Sequence, residues 1–211
     1  MDMARNMGHA IKTCFSNSSI VIDRFHVVRL IMDAMQHVRI TLRWEAIEQE
    51  NIAIKQAKDK GEKYNPEILS NDDTLKELLA RSRYLLCKFE KDWTENQARR
   101  ASLLFEKYPT LHKAYKLTLQ FRNIYETKKL EDATNQLDKW KENVIASEIK
   151  EFNTVMNSLD YHSKNILNFF NDRSTNAYAE SFNSKIKNFR ANLRGVTDVK
   201  FFLFRLEKLF A

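Results

Sequence analysis

Glycine and proline are scarce in this chain, with 3 glycines and 2 prolines among 211 residues. Propellers, multi-stranded sandwiches and glycine-rich phosphate loops need many more of these residues. With 43% apolar residues, the chain can still bury a core. The sequence therefore predicts a mostly α protein, built from long helices with short connections.

Residues 19–23 are the one segment that does not fit a helical pattern. Ile20, Val21 and Ile22 are consecutive apolar residues that lead directly into Asp23. Such a run is typical of a strand covered on both faces. Because one strand cannot satisfy its own backbone groups, and no second strand is visible downstream, the missing strands are expected upstream of Met1 or in another chain.

Apolar residues at three- and four-residue steps predict helices over the rest of the chain. Thr94 is expected to cap one of them, Asn71 or Asp72 another, and Pro109 fits a first helical turn. The charged segment 45–60 is interpreted as a solvated helix. The predicted helices cover residues 3–15, 26–60, 73–89, 94–108, 109–126, 129–143, 147–170, 174–194 and 198–210.

The three tryptophans have two interpretations. Trp44, Trp93 and Trp140 lie within predicted helices or beside them, where they are expected to anchor the core. Stacking on an extruded base is the alternative for each.

Charge and hydropathy restrict the class of protein. The net charge of +7, from 35 basic and 28 acidic residues, favours a polyanionic partner such as nucleic acid. No apolar run approaches the ~20 residues that cross a membrane. The first ten residues contain no signal-peptide core. A soluble, cytoplasmic protein is expected.

Two aspartates are predicted at one edge of the missing sheet. Asp2 precedes the helix 3–15, and Asp23 ends the strand that follows this helix. If a strand precedes Asp2, both acids lie at the carboxyl ends of parallel strands, where open α/β sheets bind ligands. They could then be metal ligands or acid–base groups. The alternative makes Asp2 a helix cap and Asp23 a turn residue.

A second group of polar residues lies in the segment 173–194, which contains five basic residues and one acid, Glu180. The apolar residues Phe182, Ile186, Phe189 and Leu193 form one stripe at helical spacing, and Asn183, Lys187, Arg190 and Arg194 form another. A lone acid on a basic helix is explained by metal ligation beside a phosphate. The alternative is a glutamate favoured by the helix dipole.

Four stretches together resemble a known family. They are DM at 2–3, CFSNSSIVIDRFHVVRL at 14–30, RWEAI at 43–47 and RSTNAYAESFNSKIKNFRANLRG at 173–195. The resemblance is to the DDE transposases of bacterial insertion sequences, most closely the ISL group, and it covers essentially the whole chain. It implies a ribonuclease-H-like α/β core interrupted by a large all-helical insertion.

The resemblance also implies roles for individual residues. Asp2 corresponds to the second catalytic acid and Glu180 to the third, both as ligands of Mg²⁺ or Mn²⁺. Asp23 and His26 resemble a supporting signature beside the site. A rival alignment makes Asp2 and Asp23 the first two acids. The residues expected to contact DNA are Arg173, Asn183, Lys185, Lys187, Arg190 and Arg194.

The domains and partners follow from the same resemblance. Residues 1–40 would form part of the catalytic core with one or two parallel strands, 41–170 the helical insertion, and 171–211 the helices that complete the core. Because the first acid is absent, the isolated chain is expected to be an inactive fragment. Double-stranded DNA and a second copy of the chain are the expected partners, at the bacterial nucleoid.

Two other functions remain open at this point. A non-catalytic helical DNA-binding protein needs only the basic helix and the positive charge. A helical scaffold would use its apolar stripes as interaction surfaces. If Asp2 and Glu180 lie together, both alternatives weaken.

Overall fold

A computed structural model describes residues 9, 11, 13–15, 17–173, 177–193, 195 and 197–210. This part of the chain is mostly helical, as predicted, and contains no strand. The helices are α1 (Arg24–Asp59), α2 (Leu75–Arg81), α3 (Glu95–Lys107), α4 (Pro109–Ile124), α5 (Leu130–Ser147), α6 (Lys150–Tyr161), α7 (Ser163–Leu167), α8 (Phe169–Asp172), α9 (Ala177–Asn192) and α10 (Val199–Phe210), with 3₁₀ turns at Leu85–Cys87 and Glu90–Asp92.

Four helices form a bundle in which α1 contacts α4 and α6, and α5 closes the ring between them. The 36 residues of α1 span about 54 Å at 1.5 Å per residue. The bundle core is aromatic: Phe121 and Tyr125 lie at the end of α4, Trp140 on α5 and Phe152 on α6, all fully buried. The helices α2 and α3 pack against α1 and α4.

Local sequence signals set several helix ends. Asp23 caps α1, since its carboxylate accepts the backbone N–H of Phe25 at 2.7 Å. The predicted cap Thr94 is confirmed by a capping box with Gln97 at the start of α3. Pro109 opens α4, as predicted, because the first turn needs no backbone donor.

The predicted helix 73–89 is too long. Its cap is Thr74, which forms a capping box with Glu77, and neither Asn71 nor Asp72 takes this place. The helix α2 ends at Arg81, and a distant side chain binds one of its last carbonyls: the guanidinium of Arg39 donates to the Leu79 carbonyl at 2.9 Å. Beyond the helix, the Trp93 indole N–H donates to the Leu85 carbonyl in the following 3₁₀ turn at 2.8 Å.

The predicted helix 147–170 is divided into α6, α7 and α8. Glu148 ends α5 in the left-handed conformation, with φ of 58°. Between the breaks near residues 162 and 168, polar groups of this region bind the backbone of residues 20–22. The Ile22 N–H donates to the Asn165 carbonyl at 3.0 Å, and the Asn168 amide donates to the Ile20 carbonyl at 2.8 Å.

The predicted strand 19–23 is therefore not formed in the described part of the chain. Ile22 is buried in the core, as its apolar run suggested, but its backbone is bonded to the segment around α7 and not to a neighbouring strand. The ribonuclease-H-like sheet remains a prediction, as does the division at residues 40 and 170. The first of these boundaries falls inside the continuous helix α1.

The last two helices form a pair held by aromatic contacts. The rings of Phe182 and Phe210 are 5.7 Å apart, and those of Phe189 and Phe202 are 5.9 Å apart. Gly195 lies between the helices with φ of 81°, the conformation that favours glycine after a helix. Most side chains of the pair are exposed. The predicted helix 3–15 lies largely outside the described residues.

Among the described helices, none is both long enough and apolar enough to cross a bilayer.

Candidate catalytic and DNA-binding site

Of the two predicted catalytic acids, the structure describes only Glu180. Glu180 lies in the first turn of α9, and its side chain is exposed. The partial positive charge of a helix N-terminus favours a carboxylate there. Asp2 lies outside the described residues, as does Arg194.

One side of α9 combines Glu180 with basic and amide groups. Asn183, Lys187 and Arg190 follow Glu180 at steps of three, four and three residues, so they lie on the same side of the helix. All of them are exposed. This surface can bind an anion close to a carboxylate, an arrangement suited to a metal-bridged phosphate.

The other side of α9 is committed to packing. Phe182 and Phe189 contact α10, so the side that carries Glu180 points away from that helix. Lys185 is five residues after Glu180 and therefore lies about 140° around the helix. Its assignment as a DNA contact stays a prediction, separate from the surface that contains Glu180.

Arg173 is engaged within the chain. Its backbone adopts φ of 55° directly after α8, and its guanidinium donates to the Thr127 carbonyl at 2.5 Å. This bond ties the end of α8 to the loop after α4. A contact between Arg173 and DNA would therefore use the donors that this bond leaves free.

Asp23 and His26 occupy the start of α1. Asp23 is the helix cap, whereas the structural alternative drawn from the sequence made it a turn residue at the end of a strand. The His26 ring meets the Phe25 ring edge-on at 5.6 Å. Their spacing places the histidine in the first turn of α1, three residues after the cap. The supporting role of Asp23 and His26 beside an active site stays a prediction.

Metal ligation by Glu180 would require further ligands beside it. Within the part of the chain that the structure describes, no group of three or more His, Cys, Asp or Glu side chains could hold a metal ion. The described residues alone therefore do not assemble a metal centre, and the pairing of Asp2 with Glu180 stays a prediction.

An arginine-lined groove was not predicted from the sequence. It has a volume of about 690 Å³ and lies between the start of α1 and the segment after α2. Its wall contains four arginines and the exposed rings of Phe25 and Tyr84, a chemistry suited to phosphates and bases. The arginines are Arg24, Arg29, Arg83 and Arg122.

The arginines of this groove differ in their partners. Arg24 pairs with Glu126 at 3.0 Å, and Arg29 with Asp33 at 3.7 Å. Arg122 donates to the Cys87 carbonyl at 3.1 Å, and burial lowers its pKa. From the sequence, only Arg24 and Arg29 could have been expected near the start of α1. Arg83 and Arg122 are distant from it along the chain.

Comparison with known protein families assigns the chain to one of them. A family model described as transposase, for the DDE transposases of the ISL3 group, matches residues 1–206. The chain belongs to this family. No curated protein and no solved structure gave a match.

This membership confirms the resemblance carried by the four stretches. The chain is a transposase of the insertion-sequence type, a class whose activity is DNA transposition and polynucleotidyl transfer. Such enzymes bind DNA and generally use divalent metal ions.

Proposed function

We propose that this chain provides part of a DDE transposase active site, with Asp2 and Glu180 as two of its three carboxylates. The observation that carries the proposal is the family match over residues 1–206 together with the position of Glu180 on α9. On that helix the acid shares one exposed side with Asn183, Lys187 and Arg190. The alternative, a DNA-binding protein without catalysis, leaves only the helix dipole to explain an acid on this side.

The metal would be Mg²⁺ or Mn²⁺, held by Asp2, Glu180 and a further acid that is not among these residues. When bound, it supplies a Lewis acid that activates the attacking oxygen and offsets charge on the phosphate. Carboxylates are the ligands that these hard cations prefer. On this assignment the first acid is not among these 211 residues, so we expect them alone to cut DNA weakly or not at all.

The chain's own basic residues would hold the DNA backbone. Lys187 and Arg190 are exposed beside Glu180, and their contacts would fix the phosphates without reading the base sequence. The same side of the helix would present Asn183, and Arg194, which lies outside the described residues, stays a predicted contact. Arg173 and Lys185 would add contacts at the margins, since the first is tied to Thr127 and the second lies on another side.

Asp23 and His26 would act as positioning residues. Asp23 caps α1, so it fixes where the helix begins and where the imidazole of His26 lies. Residues 1–40 and 171–211 would contribute to the catalytic core, 41–170 would form the insertion, and the active assembly would be a homodimer on double-stranded DNA.

Salt-dependent DNA binding tests the basic surface. Lys187→Ala and Arg190→Ala should each weaken binding to duplex DNA several-fold and reduce the slope of log K against log salt by about 1. Lys139→Ala is a matched control, because it removes one charge from an exposed site on α5. Equal losses in all three variants, or binding independent of salt, would contradict a DNA contact on α9.

Nicking of supercoiled DNA tests the catalytic assignment. The 211 residues should show little Mg²⁺-dependent nicking, and Glu180→Gln should abolish what remains. Robust cleavage that survives Glu180→Gln would refute the role of Glu180. Strong DNA binding with no metal-dependent cleavage under any condition, even with the missing acid restored, would favour the non-catalytic alternative.

A further inference from the structure

The helix α1 has apolar residues on two opposite sides. One side faces the bundle and contains Val27, Ile31 and Met35, all fully buried. The other side carries Ile40, Trp44 and Ile54, which are 41%, 65% and 42% exposed. Ile40 lies nine residues after Ile31 and so about 180° around the helix from it. We call the outward side, formed by Ile40, Trp44, Ile47, Asn51 and Ile54, the outer seam.

The outer seam has the spacing of a coiled coil. Its five residues follow one another at steps of four, three, four and three, which is the alternation of a and d positions in a heptad repeat. The seam extends for about 21 Å along the helix. It contains one polar residue, Asn51, at an a position, where a buried asparagine typically specifies the pairing of two helices.

The residues that flank the seam have charges suited to self-association. In a parallel pair of helices, each g position faces the e position five residues later on the other helix. This rule brings Arg43 opposite Glu48 of the second copy, and Glu50 opposite Lys55 of the second copy. Both pairs are of opposite charge, and two-fold symmetry makes each of them twice.

The two charge pairs are not equally available. Glu50 already contacts Lys76 of its own chain at 2.5 Å and is 15% exposed, so it would be shared between two lysines. Arg43 and Glu48 are both exposed. The pair of Arg43 with Glu48 is therefore the one expected to influence the pairing most.

Asn51 favours the parallel orientation. In an antiparallel pair, a positions face d positions, so Asn51 would lie against an isoleucine and leave its amide without a partner. In a parallel pair, Asn51 faces Asn51 of the second copy and the two amides can bond to each other. The bundle lies on the opposite side of α1, so the second helix approaches where the described chain leaves the seam open.

We propose that the outer seam of α1 binds a second copy of this chain as a parallel pair of helices. This interface would be the contact that forms the homodimer of the proposed function. Of that proposed function, it depends only on the homodimer. It requires neither Asp2 nor Glu180. The bundle holds α1 in helical form before association, which compensates for the short length of the seam.

Sedimentation velocity across micromolar concentrations tests the interface. Trp44→Lys should raise the dissociation constant of the dimer at least about tenfold, because it replaces the largest apolar side chain of the seam with a charge. Ile145→Lys is the matched control, since Ile145 is an isolated residue on α5 that is 62% exposed. Circular dichroism should show unchanged folding in both variants.

A charge exchange and a cross-link test the pairing. Arg43→Glu should weaken the dimer, and adding Glu48→Arg in the same chain should restore it. With Cys14 and Cys87 replaced by serine, Asn51→Cys should form a disulfide between copies, and Ile145→Cys should not.

Three results would overturn the proposal. A chain that stays monomeric throughout would remove both this interface and the homodimer of the proposed function. A dimer unaffected by Trp44→Lys would keep the homodimer but place it on another surface. A dimer sensitive to Trp44→Lys without the Asn51→Cys cross-link would refute the parallel orientation.

Discussion

The carboxylate of Asp73 joins α2, α3 and the loop that precedes α2. It is completely buried, and it accepts hydrogen bonds from Arg81 on α2, from Arg100 on α3 at 3.2 Å and from Asn71 in the preceding loop at 2.8 Å. We expect Asp73→Ala to lower the free energy of unfolding by about 3 kcal/mol.

The magnitude follows from what the substitution leaves behind. A hydrogen bond to a charged group contributes about 1.5–3 kcal/mol, and breaking a fully buried ion pair costs about 3–5 kcal/mol. The Arg81 and Arg100 side chains are 53% and 27% exposed, so water can solvate both guanidinium groups once the carboxylate is gone. The lower end of the range is therefore expected.

Urea denaturation followed by circular dichroism measures this loss. A decrease of about 3 kcal/mol corresponds to a lower melting temperature by roughly 6–12 °C in a chain of this size. Asp72→Asn is the control, because Asp72 is exposed and asparagine tolerates its φ of 62°. This variant should stay within about 0.5 kcal/mol of the original chain.

A double-mutant cycle isolates the contribution of the ion pair. Arg100→Met alone should be destabilising, and its effect should shrink by about 1 kcal/mol or more when Asp73 is already alanine. If Asp73→Ala costs less than about 1 kcal/mol at an unchanged m-value, the carboxylate does not join the segments as described. Additive losses in the cycle would likewise refute the argument.

Two further predictions concern buried aromatic and imidazole groups. Tyr125→Phe should leave the free energy of unfolding unchanged or raise it by up to ~1 kcal/mol, because the buried hydroxyl has no hydrogen-bond partner among the described residues and burial raises its pKa. Tyr115→Phe is its control and should cost about 1 kcal/mol in thermal unfolding, since that hydroxyl donates to the Lys88 carbonyl at 2.9 Å. The His112 imidazole stacks on Phe105 with the ring centres 4.3 Å apart, and burial lowers its pKa below 6.5. The unfolded chain therefore binds the proton more readily than the folded chain. The free energy of unfolding should fall as the pH drops through about 6.5. His112→Gln should reduce the loss of stability between about pH 8 and about pH 5 in urea titrations, and an unchanged loss would contradict this assignment.

Helix ends were predictable where the signal lies within a few residues. Thr94 and Gln97 form a capping box with each other, and Pro109 needs only its own ring to fit a first turn. The apolar periodicity of α1 likewise belongs to one continuous segment. These elements could be read from the sequence because no distant residue decides them.

Other helix ends depend on residues far along the chain. Leu85 and Leu86 continue the helical spacing of α2, yet the helix ends at Arg81, and Arg39 binds the Leu79 carbonyl across 40 positions. Where the predicted helix 147–170 is interrupted, Asn165 and Asn168 form hydrogen bonds with the backbone of Ile22 and Ile20, which lie well over 100 residues earlier. Short-range periodicity contains no information on such partners.

The candidate site shows the same division. The helix that bears Glu180 and the common side of Asn183, Lys187 and Arg190 were predictable from spacing alone. The engagement of Arg173 was not, because it depends on a left-handed backbone and on the Thr127 carbonyl. The arginine groove was missed because Arg83 and Arg122 are brought to the start of α1 only by tertiary packing.

The segment 45–60 of α1 was predicted to be a solvated, charged helix, and Trp44 was expected to anchor the core. Trp93 and Trp140 do bond within the fold, but Trp44 is 65% exposed. Small residues, Ala34 and Ala46, lie on the bundle side, where neighbouring helices approach closely. The larger side chains of Ile40, Trp44 and Ile54 lie outward, where a merely solvated helix would carry lysine and glutamate. A side that keeps bulky apolar residues at heptad spacing, with complementary charges beside them, is better explained by association than by solubility.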